Sequence, residues 1–169
     1  ISRQQQVLFE FNNLRSQVNP HFLFNSLNTL VGLMEEKSDQ ALSYVEKLSD
    51  LFRNILSFKD RQLISLKEEL GLLEDYLFIN QMRYGQNLQV EFGDLGDTEK
   101  ALLPPLTLQI LLENAIKHNV ISSAKPLIVK VTRPDIGWLR ISNPIQNKRH
   151  KEKGTGTGLK NVKQRFALI

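Results

Sequence analysis

The sequence predicts an α+β protein in which an N-terminal antiparallel helical hairpin precedes a region of mixed helices and strands. Three observations carry this: two long amphipathic helix patterns fill the first third, strand and turn texture sets in after Gly85, and a late glycine run opens one more helix. With 169 residues, 41% hydrophobic and 24% charged, the chain has room for one compact domain or two small ones, and disordered, collagen-like and low-complexity classes drop out. No apolar run reaches the ~18 residues of a membrane-spanning helix, and no signal-peptide pattern is present. The absence of cysteine excludes a disulfide framework and thiolate chemistry and fits a reducing compartment. Lys+Arg 22 against Asp+Glu 18 gives +4, an excess that favours anionic ligands; no nucleic-acid motif accompanies it. The chain opens at Ile1 in helical pattern and stops at Ile169 after another, so it reads as an excised piece, expected to be cytoplasmic itself, with any membrane anchor of the parent in segments outside it.

Taken in order, Val7, Phe11, Leu14 and Val18 form one helical seam. Continued by the same steps, the seam lands on His21, Asn25 and Asn28, while the apolar stripe jumps to Leu23, Leu27, Leu30 and Met34; the jump falls at Pro20, where a kink is expected. A second helix starting at Ser38 or Asp39 carries Ala41, Val45, Leu48, Phe52 and Ile55, flanked by Tyr44 and Leu51. Two such helices with a short connection make a hairpin. Residues 57–64 read as a linker, and Ser65 with Glu68 reads as a capping box opening a helix lined by Leu66, Leu70, Leu73 and Leu77. Residues 88–92 alternate as a strand, Pro104 and Pro105 lead into a helix through His118, and residues 127–132 and 138–142 read as an antiparallel strand pair. A basic loop then runs into Gly154-Thr155-Gly156-Thr157-Gly158 and a final helix.

Three constellations carry chemistry. On the helix after the double proline, a step of ~100° per residue places Leu108, Leu111, Leu112, Ala115 and Ile116 on one side. Glu113, Asn114, Lys117 and His118 then fill an arc of roughly 140° on the other. A carboxylate, an amide, an ammonium and an imidazole together suit a metal-bound polyphosphate: Asn offers an oxygen to Mg²⁺, which keeps several waters, and the carboxylate can orient or deprotonate a nucleophile. The plainer reading is a solvated helix face. The alternating glycines let backbone amides approach a phosphate, and the following helix N-terminus adds free N–H groups; the spacing is neither a dinucleotide fingerprint nor a P-loop, and the alternative is a flexible linker. His21 shares a polar face with Gln17, Asn25 and Asn28, where a neutral imidazole can serve as nucleophile, although such residues on a bundle seam can also only set register.

In combination these motifs resemble a known family. QVNPHFLFNSLN (residues 17–28) resembles the phosphoacceptor box of LytS-type sensor histidine kinases, LPPLTLQILLENAIKHN (103–119) their N box, and GTGTGLKNVKQRF (154–166) their glycine box, in the same order and spacing. EELGLLEDYLFINQMRYG (68–85) is similar to the segment that these proteins place between hairpin and ATP domain. The resemblance implies a dimerising helical phosphoacceptor region over residues 1–60, a connecting helix over 61–86, and over 87–169 a GHKL-type α/β sandwich that binds ATP, with an incomplete C-terminal end. It implies an ATP- and Mg²⁺-dependent protein histidine kinase, a homodimer, that phosphorylates itself on His21 and passes the group to a response regulator of a two-component system. Glu113 would help activate the acceptor and Asn114 would hold Mg²⁺. Lys117 and His118 would lie near the phosphates, and Gly154, Gly156, Thr157, Gly158 and Leu159 would form the phosphate-contacting end of the ATP lid. Where the family carries an Asp-x-Gly box for the adenine amino group, this chain has Asn143, Pro144 and Ile145; Asn143 offers a carbonyl oxygen without the charge. Phe22, not an acidic residue, follows His21. Two other functions use parts of the pattern: a non-catalytic dimeric scaffold with weak nucleotide binding, and a GHKL ATPase that does not phosphorylate itself.

Overall fold

The structure, a computed structural model, describes residues 20–58, 60–148 and 157–169, with the backbone alone for Pro20, His21 and Thr157. The seam of Val7, Phe11, Leu14 and Val18 lies outside the described residues, and so does the helix whose continuation would kink at Pro20. The chain is mixed α+β and divides into two compact units, one on either side of residue 59.

The first unit contains α1 (Pro20–Glu35) and α2 (Gln40–Ser57), which pack on each other. Between them the backbone turns at Lys37, whose φ of 51° is left-handed. Ser38 N–H donates to the Leu33 carbonyl and Lys37 N–H to that of Met34, the bonding pattern of a Schellman end, with lysine where glycine is usual. The buried face of α2 is Tyr44, Leu48, Leu51 and Ile55: Leu48 and Ile55 of the predicted seam are buried, the flanking Tyr44 and Leu51 complete the face, and Val45 is 38% exposed. Both stripes are apolar at helical spacing, but only one can face α1. The stripe that does so carries the tyrosine, whose hydroxyl donates to the Ser26 carbonyl at 3.0 Å, while Ser26 Oγ donates to the Phe22 carbonyl at 2.8 Å. Phe24, Leu27, Val31 and Met34 of α1 remain exposed.

The second unit opens with β1 (Ile64–Ser65), so the predicted linker ends in a strand residue, Ile64, that is fully buried. Ser65 then caps α3 (Leu66–Tyr84) through the expected reciprocal box with Glu68, reinforced by both guanidinium nitrogens of Arg61 on the Glu68 carboxylate. A 3₁₀ turn leads to β2 (Leu88–Phe92). Next, β3 (Leu102–Leu103) pairs antiparallel with β1. Two prolines follow, then α4 (Thr107–His118), β4 (Leu127–Thr132), β5 (Arg140–Ser142) and α5 (Thr157–Ala167). Strand β4 is central: β2 runs parallel to it, as a crossover through α4 requires, and β5 antiparallel. Leu88, Leu127, Val129 and Val131 form the buried rows of this sheet, and α3 and α4 pack on it and on each other. Among the described residues no helix is long and apolar enough to cross a membrane.

Helix α3 buries Leu66, Glu69, Leu72, Leu73, Tyr76 and Ile79, so Leu66 and Leu73 of the predicted leucine line are buried on a face that also contains a carboxylate. Glu69 is 0% exposed; its Oε2 accepts from Leu106 N–H at 2.9 Å and its Oε1 from Leu108 N–H at 2.7 Å. Leu106 immediately precedes α4 with φ 65° and supplies no side-chain cap, so Glu69 caps that helix from 37 residues upstream. Burial raises the Glu69 carboxyl to about 7, against the lowering effect of these N–H bonds and of Arg165.

The Glu69 carboxyl makes stability depend on pH. The unfolded chain releases its proton near 4.5 and the folded chain near 7, so the folded state holds the extra proton between them. Stability therefore falls as pH rises through that window, by up to about 3 kcal/mol, and is flat above it. Glu68, held down to about 2 chiefly by Arg61, acts oppositely, and its contribution is lost as pH falls from 4.5. Urea melts from pH 4 to 8 will show the decline, and Glu69→Gln will remove it. Separately, Lys37→Gly relieves a left-handed lysine and raises the unfolding free energy by about 0.5–1 kcal/mol in the same melts.

Candidate functional site

One side of α4, running from Thr107 through Leu111, Asn114 and Ala115 to His118 and Asn119, lines a cavity of about 530 Å³. The β5 segment contributes Leu139, Ile141 and Asn143, and α5 contributes Val162 and Phe166. The α4 residues recur at helical spacing, so a single face supplies the wall. Leu111, placed by the sequence on the apolar side of the helix, lines the cavity, and Gln109 is buried.

The predicted polar arc divides between two neighbouring rows. Asn114 and His118, one turn apart, line the cavity. Glu113 and Lys117 are half-buried and are not among its lining residues. Glu113 instead influences Tyr76, whose hydroxyl titrates well above its ordinary value, first through complete burial and then through the Glu113 charge. Asn114 Nδ2 donates to the Ile110 carbonyl at 3.0 Å, which leaves its Oδ1 as an acceptor beside the cavity. His118 is exposed at the last position of α4. Asn143 donates from Nδ2 to the Pro144 carbonyl at 2.8 Å and likewise keeps Oδ1 available.

Asn119, which sequence reasoning did not single out, is 6% exposed and joins two of these pieces. Its Nδ2 donates to the Ala115 carbonyl at 2.8 Å and its Oδ1 accepts from Gln146 N–H at 2.7 Å. Val120 N–H donates to the Gln146 carbonyl, so the segment after Asn143 is fastened to the end of α4. The one signal in the sequence is an asparagine directly after the last helical residue, a common helix-stop residue.

Of the glycine run, Gly158 is described, at the start of α5. A Cβ placed there would lie 3.2 Å from Ile110 Cγ2 and 3.6 Å from Asn114 Nδ2, so glycine permits the close approach of α5 to α4. Leu159 is 47% exposed and does not line the cavity. Thr157 opens α5 and is described by its backbone alone; Gly154 and Gly156 lie outside the described residues, as do Arg149, Lys151 and Lys153 of the basic run. His21 is the second residue of α1, in the other compact unit, and it too is described by its backbone alone. Among the described residues no group of three His, Cys, Asp or Glu side chains could by itself hold a metal ion.

A family model described as histidine kinase matches residues 9–88. The chain is 34% identical over 172 residues to the sensor protein LytS of Staphylococcus saprophyticus, covering 93% of this chain and 29% of that protein. It is 32% identical over 178 residues to the sensor protein LytS of Streptococcus agalactiae (95% of this chain, 30% of that protein). It is 34% identical over 184 residues to the sensor protein LytS of Enterococcus faecalis (95% and 30%). The chain thus spans about 30% of the length of these relatives. With about a third of its residues identical to these proteins over 93–95% of its length, the chain belongs to the LytS-type histidine kinase family.

Proposed function

We propose that this chain is the cytoplasmic phosphotransfer portion of a two-component sensor kinase: it binds Mg-ATP in the α4 cavity, phosphorylates His21 and passes the phosphoryl group to a response regulator. The observation that carries the reading is the meeting of separate motifs at one cavity. Asn114 and His118 come from the N box, Asn143 stands where the adenine-binding residue belongs, and the helix that follows the glycines supplies a third wall. A volume of about 530 Å³ lies within the range of small-molecule sites.

The residues present fit the metal. Mg²⁺ takes few protein ligands beside phosphate oxygens and water, and Asn114 Oδ1 is a neutral oxygen ligand with no internal partner among the described residues. When bound, the ion neutralises charge developing on the transferred group. Lys117, His118 and the amides around Gly154, Gly156, Thr157, Gly158 and Leu159 would hold the phosphates, Asn143 Oδ1 would accept from the adenine amino group, and Glu113 would assist the acceptor imidazole. Residues 1–60 form the dimerising phosphoacceptor hairpin, 61–86 the connecting helix and 87–169 the GHKL-type sandwich. The exposed row of Phe24, Leu27, Val31 and Met34, with its heptad-like spacing, supports a homodimer through α1. Membrane anchoring belongs to segments of the parent outside this chain.

Incubation with γ-labelled ATP and Mg²⁺ tests the reading. Wild type should acquire acid-labile, base-stable label that His21→Gln lacks; steady phosphate release without protein label would establish an ATPase, and neither activity a scaffold. Calorimetry with Mg-ADP tests the adenine contact. Asn143→Ala should weaken binding about tenfold, and Asn143→Asp should tighten it several-fold, because an ionised acceptor makes a stronger hydrogen bond.

A further inference from the structure

Helix α5 touches the N-box helix at both of its own ends. At its start is the close approach of Gly158 to Ile110 and Asn114. Seven residues on, Arg165 Nη1 donates to the Pro105 carbonyl at 2.8 Å, in the turn that begins α4. Its charge also acts on the buried Glu69 carboxylate, which holds Leu106 and Leu108 N–H of the same turn. Gly158, Val162 and Arg165 fall at i, i+4 and i+7, one face of the helix over about 10 Å.

We propose that Arg165 is a positioning residue: by fastening the far end of α5 to the Pro105 turn above Glu69, it holds the Gly158 end against Asn114 and so sets nucleotide affinity at the cavity. The affinity consequence rests on the nucleotide reading above, whereas the latch itself does not. Arginine suits the place because its rigid fork can serve a carbonyl while its delocalised charge faces a carboxylate, which lysine does less well. Lys160, Lys163 and Arg165 are all exposed as whole residues, and Arg165 differs in holding the Pro105 carbonyl.

The test uses Arg165→Ala, Arg165→Lys and, as control, Lys163→Ala in the full chain, each followed by Mg-ADP calorimetry, thermal unfolding and amide hydrogen exchange. Loss of one charge-assisted bond should raise the Mg-ADP dissociation constant about tenfold in Arg165→Ala, with partial recovery in Arg165→Lys and none of the change in Lys163→Ala. Exchange in residues 158–167 should accelerate about tenfold while that in α3 and α4 stays at the wild-type rate. Should Arg165→Ala fail to fold, Arg165→Lys alone must show the intermediate loss of affinity. Unchanged exchange in α5 overturns the latch. Unchanged Mg-ADP affinity with faster exchange overturns its effect on binding, and a wild type that binds no Mg-ADP overturns the nucleotide reading instead.

Discussion

The second unit depends on one buried carboxylate. Two prolines precede α4, Pro104 and Pro105, neither with an N–H to give, and the residue at the helix boundary is a leucine in the left-handed region with no capping oxygen. The first N–H groups of α4 are buried there and must find an acceptor. Glu69 provides both oxygens from α3, so cap and helix–helix contact are a single interaction. Removing a carboxylate from water costs several kcal/mol. Two N–H bonds, the positive end of the helix dipole and the Arg165 charge offset that cost without cancelling it, which is why the proton is held to about 7. Because Glu69 fixes where α4 begins and which way it faces α3, it also fixes the direction in which the Asn114 and His118 row points.

Three of the polar residues that line the cavity are amides. Asn114, Asn119 and Asn143 each donate Nδ2 to a nearby backbone carbonyl, at Ile110, Ala115 and Pro144. That bond orients the amide and turns its oxygen toward a second partner. For Asn119 the partner is the Gln146 N–H, whereas Asn114 and Asn143 keep the oxygen as an acceptor beside the cavity. A neutral oxygen is cheaper to desolvate than a carboxylate, so a row of oriented amides can serve a ligand that brings its own charge and counterion.

Legibility in the sequence followed the range of each signal. The Ser65–Glu68 box, the strands at 88–92 and 127–132 and the end of α4 at His118 were readable because each is written within a few neighbouring residues. Asn114, His118 and Asn143 could be named from motifs, and the cavity gathers them. The β1–β3 pairing was not readable, since two-residue strands carry no periodicity and their partners are far apart. Glu69 was passed over because a carboxylate between leucines looks like surface until the N–H groups of a distant helix are placed above it. On α2 two apolar stripes competed, and only the packing of Tyr44 on Ser26 decided between them.

Helix α5 shows how far local propensity falls short of the structure. It has 11 residues, a length at which an isolated helix is marginal in water, and no acidic residue in its first turn to favour the dipole. Leu159 and Phe166 are each nearly half exposed, so little apolar burial holds it. What remains is contact with α4: the glycine that allows backbone to meet Ile110, the cavity residues Val162 and Phe166, and the Arg165 bond to Pro105. A helix kept in place by so few points has a local stability well below that of the sheet beside it. Those contacts all lie on the side of α5 that meets α4, so the position of the helix is set by tertiary contact rather than by its own propensity.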